Sequence, residues 1–316
     1  MSRVLVIILA VGLDWLWGDP PNRFHPLLLM GRWLTWGRRL APRRHRFWFG
    51  AGWTLGGMLL FSLPLWKAEI WKDEGRRMKD EVFHFHPSSF IPHPFLLKPV
   101  FAYRNLRRAV LSVAEALGRA DFPEARRLLS WHLVSRDTGD LSEAEVAGAA
   151  IESLAENLTD SLTAPLLAYA AGGLPAAWGY RFINTADAMW GYRSAEFEQL
   201  GKFAARLDDL INWLPARLTG WLLVFAAWLG SEDARNAART MLAQHGRTAS
   251  PNSGWTMSAM AGALGVTLDK RRVYALEGGR GRLDVTTMQR ALRMADLCAG
   301  LVVVTALAVA VVRQRR

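Results

Sequence analysis

Apolar runs with no charged residue alternate along this chain with long polar stretches, and their lengths separate the available folds. A helix needs about 20 such residues to cross the hydrocarbon core of a bilayer. Residues 47–66 and 161–180 meet that length without a charge, and Trp48 and Trp66 stand near the ends of the first run. Residues 297–312 are slightly short but close on Arg313, Gln314, Arg315 and Arg316, a basic anchor for a final span. Residues 213–230 carry only Arg217, whose stem can snorkel to the interface. Residues 4–17 are shorter and contain Asp14. They read as a half-buried helix, a re-entrant segment or a tilted span, and not as a cleaved signal, because no small-residue cleavage site follows. The pattern predicts an all-α, polytopic integral membrane protein, one catalytic domain over 1–316 with long cytoplasmic helical connections.

Composition adds a constraint. Hydrophobic types make up 51% of the 316 residues and charged types 21%, which excludes a disordered chain. The 39 basic and 28 acidic residues give a net charge of +11, which suits either nucleic acid or an anionic membrane leaflet. Fifteen tryptophans favour the membrane, since amphipathic aromatics collect at bilayer interfaces, and no nucleic-acid partner is expected. The single cysteine, Cys298, excludes a disulfide framework or a cysteine zinc site. Arg32, Arg38, Arg39, Arg43, Arg44 and Arg46 have no acid among them, which assigns that loop to the cytoplasm and to lipid headgroups. Residues 67–99 differ in texture: a charged stretch is followed by His84, His86 and His93 among Pro87, Pro92, Pro94 and Pro99. Prolines at that density break helix and strand, so an atypical low-complexity insertion or replaced span is expected rather than a metal site.

The strongest local signal opposes the overall charge. Asp137, Asp140, Glu143, Glu145, Glu152, Glu156 and Asp160 are seven acids in a stretch, 137–180, with no Lys or Arg, which asks for an outside cation. Ser142 and Glu145 have capping-box spacing and predict a helix start. On that helix Ile151, Leu154, Leu158 and Leu162 share one face, and Glu152, Glu156 and Asp160 stack at i, i+4 and i+8 on the other. Like charges so spaced cost about 0.2–0.5 kcal/mol per pair. Asp160 also borders an apolar run, where an ionised group is dearer. Mg²⁺ would relieve both costs.

Polar groups then recur: Asn184, Asp187 and Arg193, then Arg206, Asp208, Asp209 and Asn212, then Arg217 and Asn252. Arginine forks for phosphate oxygens beside carboxylates for a metal suit a metal-bound phosphate. Ordinary i,i+3 pairing, as between Arg206 and Asp209, and turn chemistry at 250–255 are the plainer explanations. There is no phosphate loop, dinucleotide fingerprint, Gly-x-Ser-x-Gly elbow or His-Glu-x-x-His motif. His25 and His132 lie nearest the polar groups, and neither is expected to be a catalytic base.

Together these motifs resemble the CobD/CbiB adenosylcobinamide-phosphate synthases of cobalamin biosynthesis. The likeness rests on Gly18-Asp19-Pro20, His25-Pro26 and Gly31-Arg32; on 133–138; and on Glu145-Val146 and 150–157 with Asp160 and Ala164-Pro165. It continues through Asn184-Thr185, Asp187, Met189, Gly191-Tyr192-Arg193, 205–209, Asn212, 215–218, 250–255 and 259–265. The resemblance implies a multi-pass protein of a bacterial or archaeal plasma membrane. It implies ATP-dependent ligation of (R)-1-amino-2-propanol, usually its O-phosphate, to a propionate of adenosylcobyric acid.

By the same carry-over Glu152, Glu156, Asp160 and Asp187 are catalytic candidates. Glu156, Asp160, Asp208 and Asp209 are the candidates for Mg²⁺, with ATP as co-substrate. Arg136, Asn184, Arg193, Arg206, Asn212, Arg217 and Asn252 are the candidates for phosphate or the corrin periphery. The expected partners are the corrinoid, aminopropanol phosphate, membrane lipids and other cobalamin-assembly enzymes.

Two departures stand out. Thr256-Met257 replaces a Pro-Glu of the family pattern, and residues 67 to about 98 replace an apolar span. With the arginine loop inside, that loss carries the acidic stretch to the far side, unless residues 90–103 re-enter or 47–66 form a hairpin. A phosphotransferase for lipid-linked alcohols and an anion transporter are the rival readings; the first lacks its carboxylate spacings, and the second lacks a visible inverted repeat.

Overall fold

Helices carry nearly the whole chain in the computed structural model, which describes residues 2–19, 25–77, 93–271 and 273–315, with backbone alone over 67–77. The histidines at 84 and 86, with the rest of residues 78–92 of the expected insertion at 67–99, lie outside the described residues. The helices are α1 (Arg3–Trp17), α2 (Leu27–Leu40), α3 (Arg46–Arg77), α4 (His93–Leu97), α5 (Tyr103–Gly118), α6 (Phe122–His132) and α7 (Glu143–Leu158). They continue with α8 (Ala164–Trp190), α9 (Lys202–Ile211), α10 (Trp213–Leu229), α11 (Ala234–Gln244), α12 (Ser253–Leu264) and α13 (Val285–Gln314). One antiparallel hairpin, β1 (Thr267–Lys270) with β2 (Tyr274–Glu277), departs from the all-α expectation. Two compact units divide the chain: 1–101, 165–211 and 306–316 form the first, and 102–164 with 212–305 the second.

Among the described residues, two helices are long and apolar enough to cross a membrane: Arg46–Trp66 within α3, and α13. The segment Lys202–Leu229 is a third if its two helices count as one span. Because α3 is a single continuous helix, 47–66 is not a hairpin. Its Leu55, Leu59, Leu60 and Leu63 are exposed, and Trp48 and Trp66 stand about 27 Å apart along the axis at 1.5 Å per residue. That matches the hydrocarbon thickness with an aromatic at each end.

The expected span at 161–180 is not formed. Gly173 adopts φ 73°, ψ −161°, a conformation that an L side chain resists, and it splits α8 into two pieces with Pro175 opening the second. Each piece is shorter than a span.

In the first unit, α2 and α3 lock through Trp33 and Trp53. Their rings stack at 4.6 Å, and each indole N–H donates to the other's carbonyl, at 3.2 and 3.0 Å. Gly37 leaves the room this requires, since a Cβ there would meet the Trp53 ring at 2.3 Å. The short α4 packs on α1 and brings Lys98, just beyond it, to Asp14 at 2.9 Å and to Asp19. Asp14, the awkward charge of the first apolar run, is thus a buried ion-pair partner.

In the second unit, α7 is buried along almost its entire length, packed by α5, α6, α12 and β1. Its capping box forms as expected, with Ser142 and Glu145 exchanging backbone bonds. After α7 a π turn at Thr159–Thr163 accommodates an extra residue. The carbonyl of Ser161 then accepts from Ala102 N at 2.9 Å, and Thr163 Oγ1 donates to Leu158 O at 3.1 Å. Thr219 Oγ1 on α10 meets Thr163 Oγ1 at 2.9 Å, which ties α10 to the turn.

Removing Lys98 leaves two buried carboxylates without their shared cation, so Lys98→Met should destabilise the protein by roughly 3–5 kcal/mol. Thermal unfolding of purified protein in detergent measures this; an unchanged midpoint would show that the cluster is not structural.

Candidate functional site

The acidic stretch is answered mainly from within the chain. Arg271, just past β1, binds Asp140 Oδ2 at 2.6 Å and Glu145 Oε2 at 2.7 Å. The Arg271 guanidinium, with the Ser142 backbone and hydroxyl, holds the Glu145 carboxyl down at about 2. Asp137 accepts from Gly139 N in its own turn, at 3.0 Å. These acids are structural.

Glu152 is different. On α7 it is only 6% exposed, and among the described residues its Oε1 has no hydrogen-bond partner. Arg136 Nη2 stands 4.0 Å from Oε2, Tyr274 on β2 lies against the carboxyl, and Lys270 and Glu156 add their fields. Burial dominates, opposed by Arg136 and Lys270, and pushes the Glu152 carboxyl up to about 7. The carboxylate in turn raises the Tyr274 hydroxyl, which burial has already raised. Neither hairpin residue was identified from sequence: strands of four residues give too little alternation to read, and the register Lys270↔Tyr274 brings both to one end of the hairpin.

The three-acid stack expected on α7 does not persist. Glu152 is buried, Glu156 exposed and Asp160 half-buried, and Asp160 belongs to the π turn, where the four-residue repeat fails.

Also in the second unit, Arg217 is held between two indoles, 4.3 Å from the Trp213 ring and 4.8 Å from the Trp255 ring. Its Nη1 donates to Trp213 O at 2.7 Å and to Asn252 Oδ1 at 3.3 Å. His245 stacks on the far side of this group, with its ring 4.1 Å from that of Trp255. Asn212 and Asn252 are buried. The pairing of Arg217 with Asn252 brings two predicted residues together and leaves the guanidinium partly exposed.

In the first unit, Asn184 Nδ2 donates to Asp208 Oδ1 at 3.4 Å, joining α8 to α9. Arg181 Nη1 donates to Asn184 Oδ1 at 3.3 Å. Burial, and after it the charge of Asp209, pushes the Asp187 carboxyl up to about 6. Gly191 makes this placement possible, since a Cβ there would lie 2.1 Å from Asp187 Oδ1. Arg193 and Arg206 are exposed.

Four predicted residues from two sequence regions therefore meet here: Asn184, Asp187, Asp208 and Asp209. Among the described residues no three His, Cys, Asp or Glu form a group that could chelate a metal ion. The donors instead suit a hard cation that takes one or two protein carboxylates and completes its shell with water and phosphate. Burial is the larger cause of the Asp187 shift, and a cation there would offset the Asp209 charge that adds to it.

Lys98, Asp14, Asp19 and Arg181 form the polar contacts that sequence reasoning did not connect. The only available signal was Asp14 itself, a charge in an apolar run that required a partner.

A family model described as CobD/Cbib protein matches residues 7–304. Similar curated proteins include the probable cobalamin biosynthesis protein CobD of Methanothermobacter thermautotrophicus, 41% identical over 297 residues and covering 94% of each chain. The cobalamin biosynthesis protein CobD of Dehalococcoides mccartyi is 37% identical over 279 residues, 87% of each chain. That of Brucella suis is 35% identical over 315 residues, 95% of this chain and 92% of its own. No solved structure matches.

Glu152 yields a pH prediction. Its folded value lies above the ordinary 4.5, so the folded state holds the extra proton between pH 4.5 and about 7. The stability this contributes is present at low pH and declines as pH rises through that window. Glu152→Gln should remove that slope and add up to about 3 kcal/mol at pH 8. Denaturation midpoints of both proteins from pH 4 to 8 test this; parallel profiles would show that Glu152 titrates as an ordinary carboxylate.

Proposed function

The chain belongs to the CobD/CbiB family, and from that premise we propose that it is a multi-pass membrane ligase of cobalamin biosynthesis. It joins (R)-1-amino-2-propanol, as the O-phosphate or the free amino alcohol, to a propionate of adenosylcobyric acid at the expense of ATP. The product is adenosylcobinamide phosphate or adenosylcobinamide. The observation that carries the reading is the Asn184–Asp208 bond, which gathers the polar groups of α8 and α9 into one place.

An amide does not form from a carboxylate and an amine until one carboxylate oxygen is made a leaving group. ATP supplies that activation, with Mg²⁺ neutralising the phosphoryl oxygens. Asp208 and Asp209 would hold the cation, with Asp187 beside them and Asn184 fixing Asp208 through its amide. Arg206 and Arg193, both exposed on the same unit, are free to follow phosphate oxygens as a loaded nucleotide enters.

In the second unit Arg136, Lys270 and Arg217 offer positive charge to the anionic side chains of a corrinoid. Glu152 can take up a proton there and so withdraw its own charge when a substrate carboxylate approaches. Glu156 and Asp160 follow Glu152 toward the end of α7 and are candidates for a cation in the second unit.

The exposed apolar face of α3 and its two terminal tryptophans support a location in the plasma membrane, as does the apolar length of α13. Membrane lipids are then immediate partners, and other enzymes of cobalamin assembly are the protein partners this location favours.

Membranes containing the protein should convert adenosylcobyric acid and aminopropanol phosphate to adenosylcobinamide phosphate, dependent on both ATP and Mg²⁺. Asp208→Asn and Asp209→Asn should each lower kcat roughly a hundredfold and raise the Mg²⁺ requirement. Gly191→Ala, which displaces the Asp187 carboxylate, should lower kcat while leaving the fold intact. No turnover by folded wild-type protein, or full turnover by both Asn variants, would reject the assignment.

A further inference from the structure

An open cavity of about 560 Å³ lies in the second unit, and nothing described so far uses it. Arg126, Arg127, Ser130 and Trp131 on one face of α6 line it, together with Asp137 and Thr138 of the loop that follows. Its volume falls in the range of small-molecule sites. Asp137 and Thr138 end the 133–138 motif, and the ligase reading gives neither of them a role.

Arg126 is half-buried and held at both ends. Its Nε donates to Leu141 O at 2.7 Å, and its own carbonyl accepts from Thr138 Oγ1 at 2.9 Å. Neither Nη has a hydrogen bond or an ion pair among the described residues, so the outer edge of the guanidinium is available. Arg127 is not equivalent, because Glu124 accepts from its Nε and Nη2 at 2.6 and 2.7 Å. The cavity therefore offers one guanidinium, which suits one phosphate group.

Trp131 is 76% exposed, and among the described residues no ring or cation lies on either face of its indole. Trp213 and Trp255, by contrast, are both covered by Arg217. A bare indole beside an anion-binding group suits a flat ring, since every nucleic-acid base has a face that stacks on an aromatic side chain. Asp137 stands on the loop side. Its Oδ1 accepts from Gly139 N at 3.0 Å, which fixes the carboxylate, and its other oxygen has no partner among the described residues. A carboxylate oxygen so placed accepts from a sugar hydroxyl and repels any further phosphate. Arg126 and Trp131 are separated by about 7.5 Å along the axis at 1.5 Å per residue. The base and the phosphate of a nucleotide lie a comparable length apart.

We propose that this cavity binds a nucleoside monophosphate, with its base on Trp131, a ribose hydroxyl on Asp137 and its phosphate on Arg126. Asp137 is the one carboxylate among the lining residues, so the site is not built to hold a metal. It belongs to a different unit from Asp208 and Asp209. The inference stands independently of the ligase reading, whose nucleotide is a triphosphate held through a cation.

Equilibrium dialysis of the purified full-length protein in detergent tests this, with EDTA present to keep a Mg²⁺-dependent nucleotide site out of the reading. The probes are AMP, adenosine and ribose 5-phosphate, and AMP should bind most tightly of the three. Trp131→Ala should weaken AMP and adenosine about tenfold or more and leave ribose 5-phosphate unchanged. Arg126→Gln should weaken AMP and ribose 5-phosphate by about the same factor and leave adenosine unchanged. Trp131 is exposed, so its variant should fold even if the Arg126 variant does not. No AMP bound at millimolar concentration, an AMP affinity that Trp131→Ala leaves unchanged, or ribose 5-phosphate held as tightly as AMP would overturn the proposal. Because binding is read without ATP or turnover, its outcome is separate from that of the ligase reading.

Discussion

A carboxylate taken out of water costs several kcal/mol unless a cation or a hydrogen-bond donor meets it. In a chain that is half hydrophobic, that requirement decides which helices come together. Asp14 and Asp19 draw Lys98, and with it α4, onto α1. Asp296 of α13 accepts from Tyr103 Oη at 2.6 Å and Arg107 Nε at 2.8 Å, which fastens α5 to α13. Glu232 takes Arg290 in a two-pronged contact, and Arg271 pins the hairpin to the start of α7 through Asp140 and Glu145. Each of these acids has a cation or a donor as partner, and each contact joins two segments distant in sequence.

The carboxylates left over by this pairing are the informative ones. Glu152 is buried against a cation that stands 4.0 Å away and does not close on it. Burial, and after it the charge of Asp209, raises the proton affinity of Asp187. Burial of an incompletely compensated charge persists in a fold only when something else supplies the balance: a bound cation, a phosphate or a proton.

Helices and their positions were legible in the sequence wherever local signals sufficed. The capping box at Ser142, the apolar length of 47–66 and the basic end of the last helix all needed only neighbouring residues. Three features were not legible. At the π turn, Thr159–Thr163, the Thr163 hydroxyl takes the Leu158 carbonyl, and Ala102 N takes that of Ser161, which Pro165 has no N–H to meet, so the spacing of Glu152, Glu156 and Asp160 misled. The kink at Gly173 turned an apparent span into two shorter helical pieces. Arg271, Lys270 and Tyr274 reach the acidic stretch from more than a hundred residues away, on a hairpin too short to announce itself. Of the candidate site, the pairing of Asn184 with Asp208 was present in outline as two polar clusters. The acids singled out from sequence fall in both units, and Asp137, Asp140 and Glu145 of the acidic stretch have partners of their own.

The central claim is that this protein activates a carboxylate with ATP before an amine displaces the leaving group. Adenosylcobyric acid carrying heavy oxygen in the reacting propionate tests it most directly, with the released inorganic phosphate examined by mass spectrometry after one round of ligation. The account predicts one labelled oxygen in phosphate for each amide formed, because the bridging oxygen of an acyl phosphate leaves with phosphorus. Amide formation accompanied by unlabelled phosphate would contradict it.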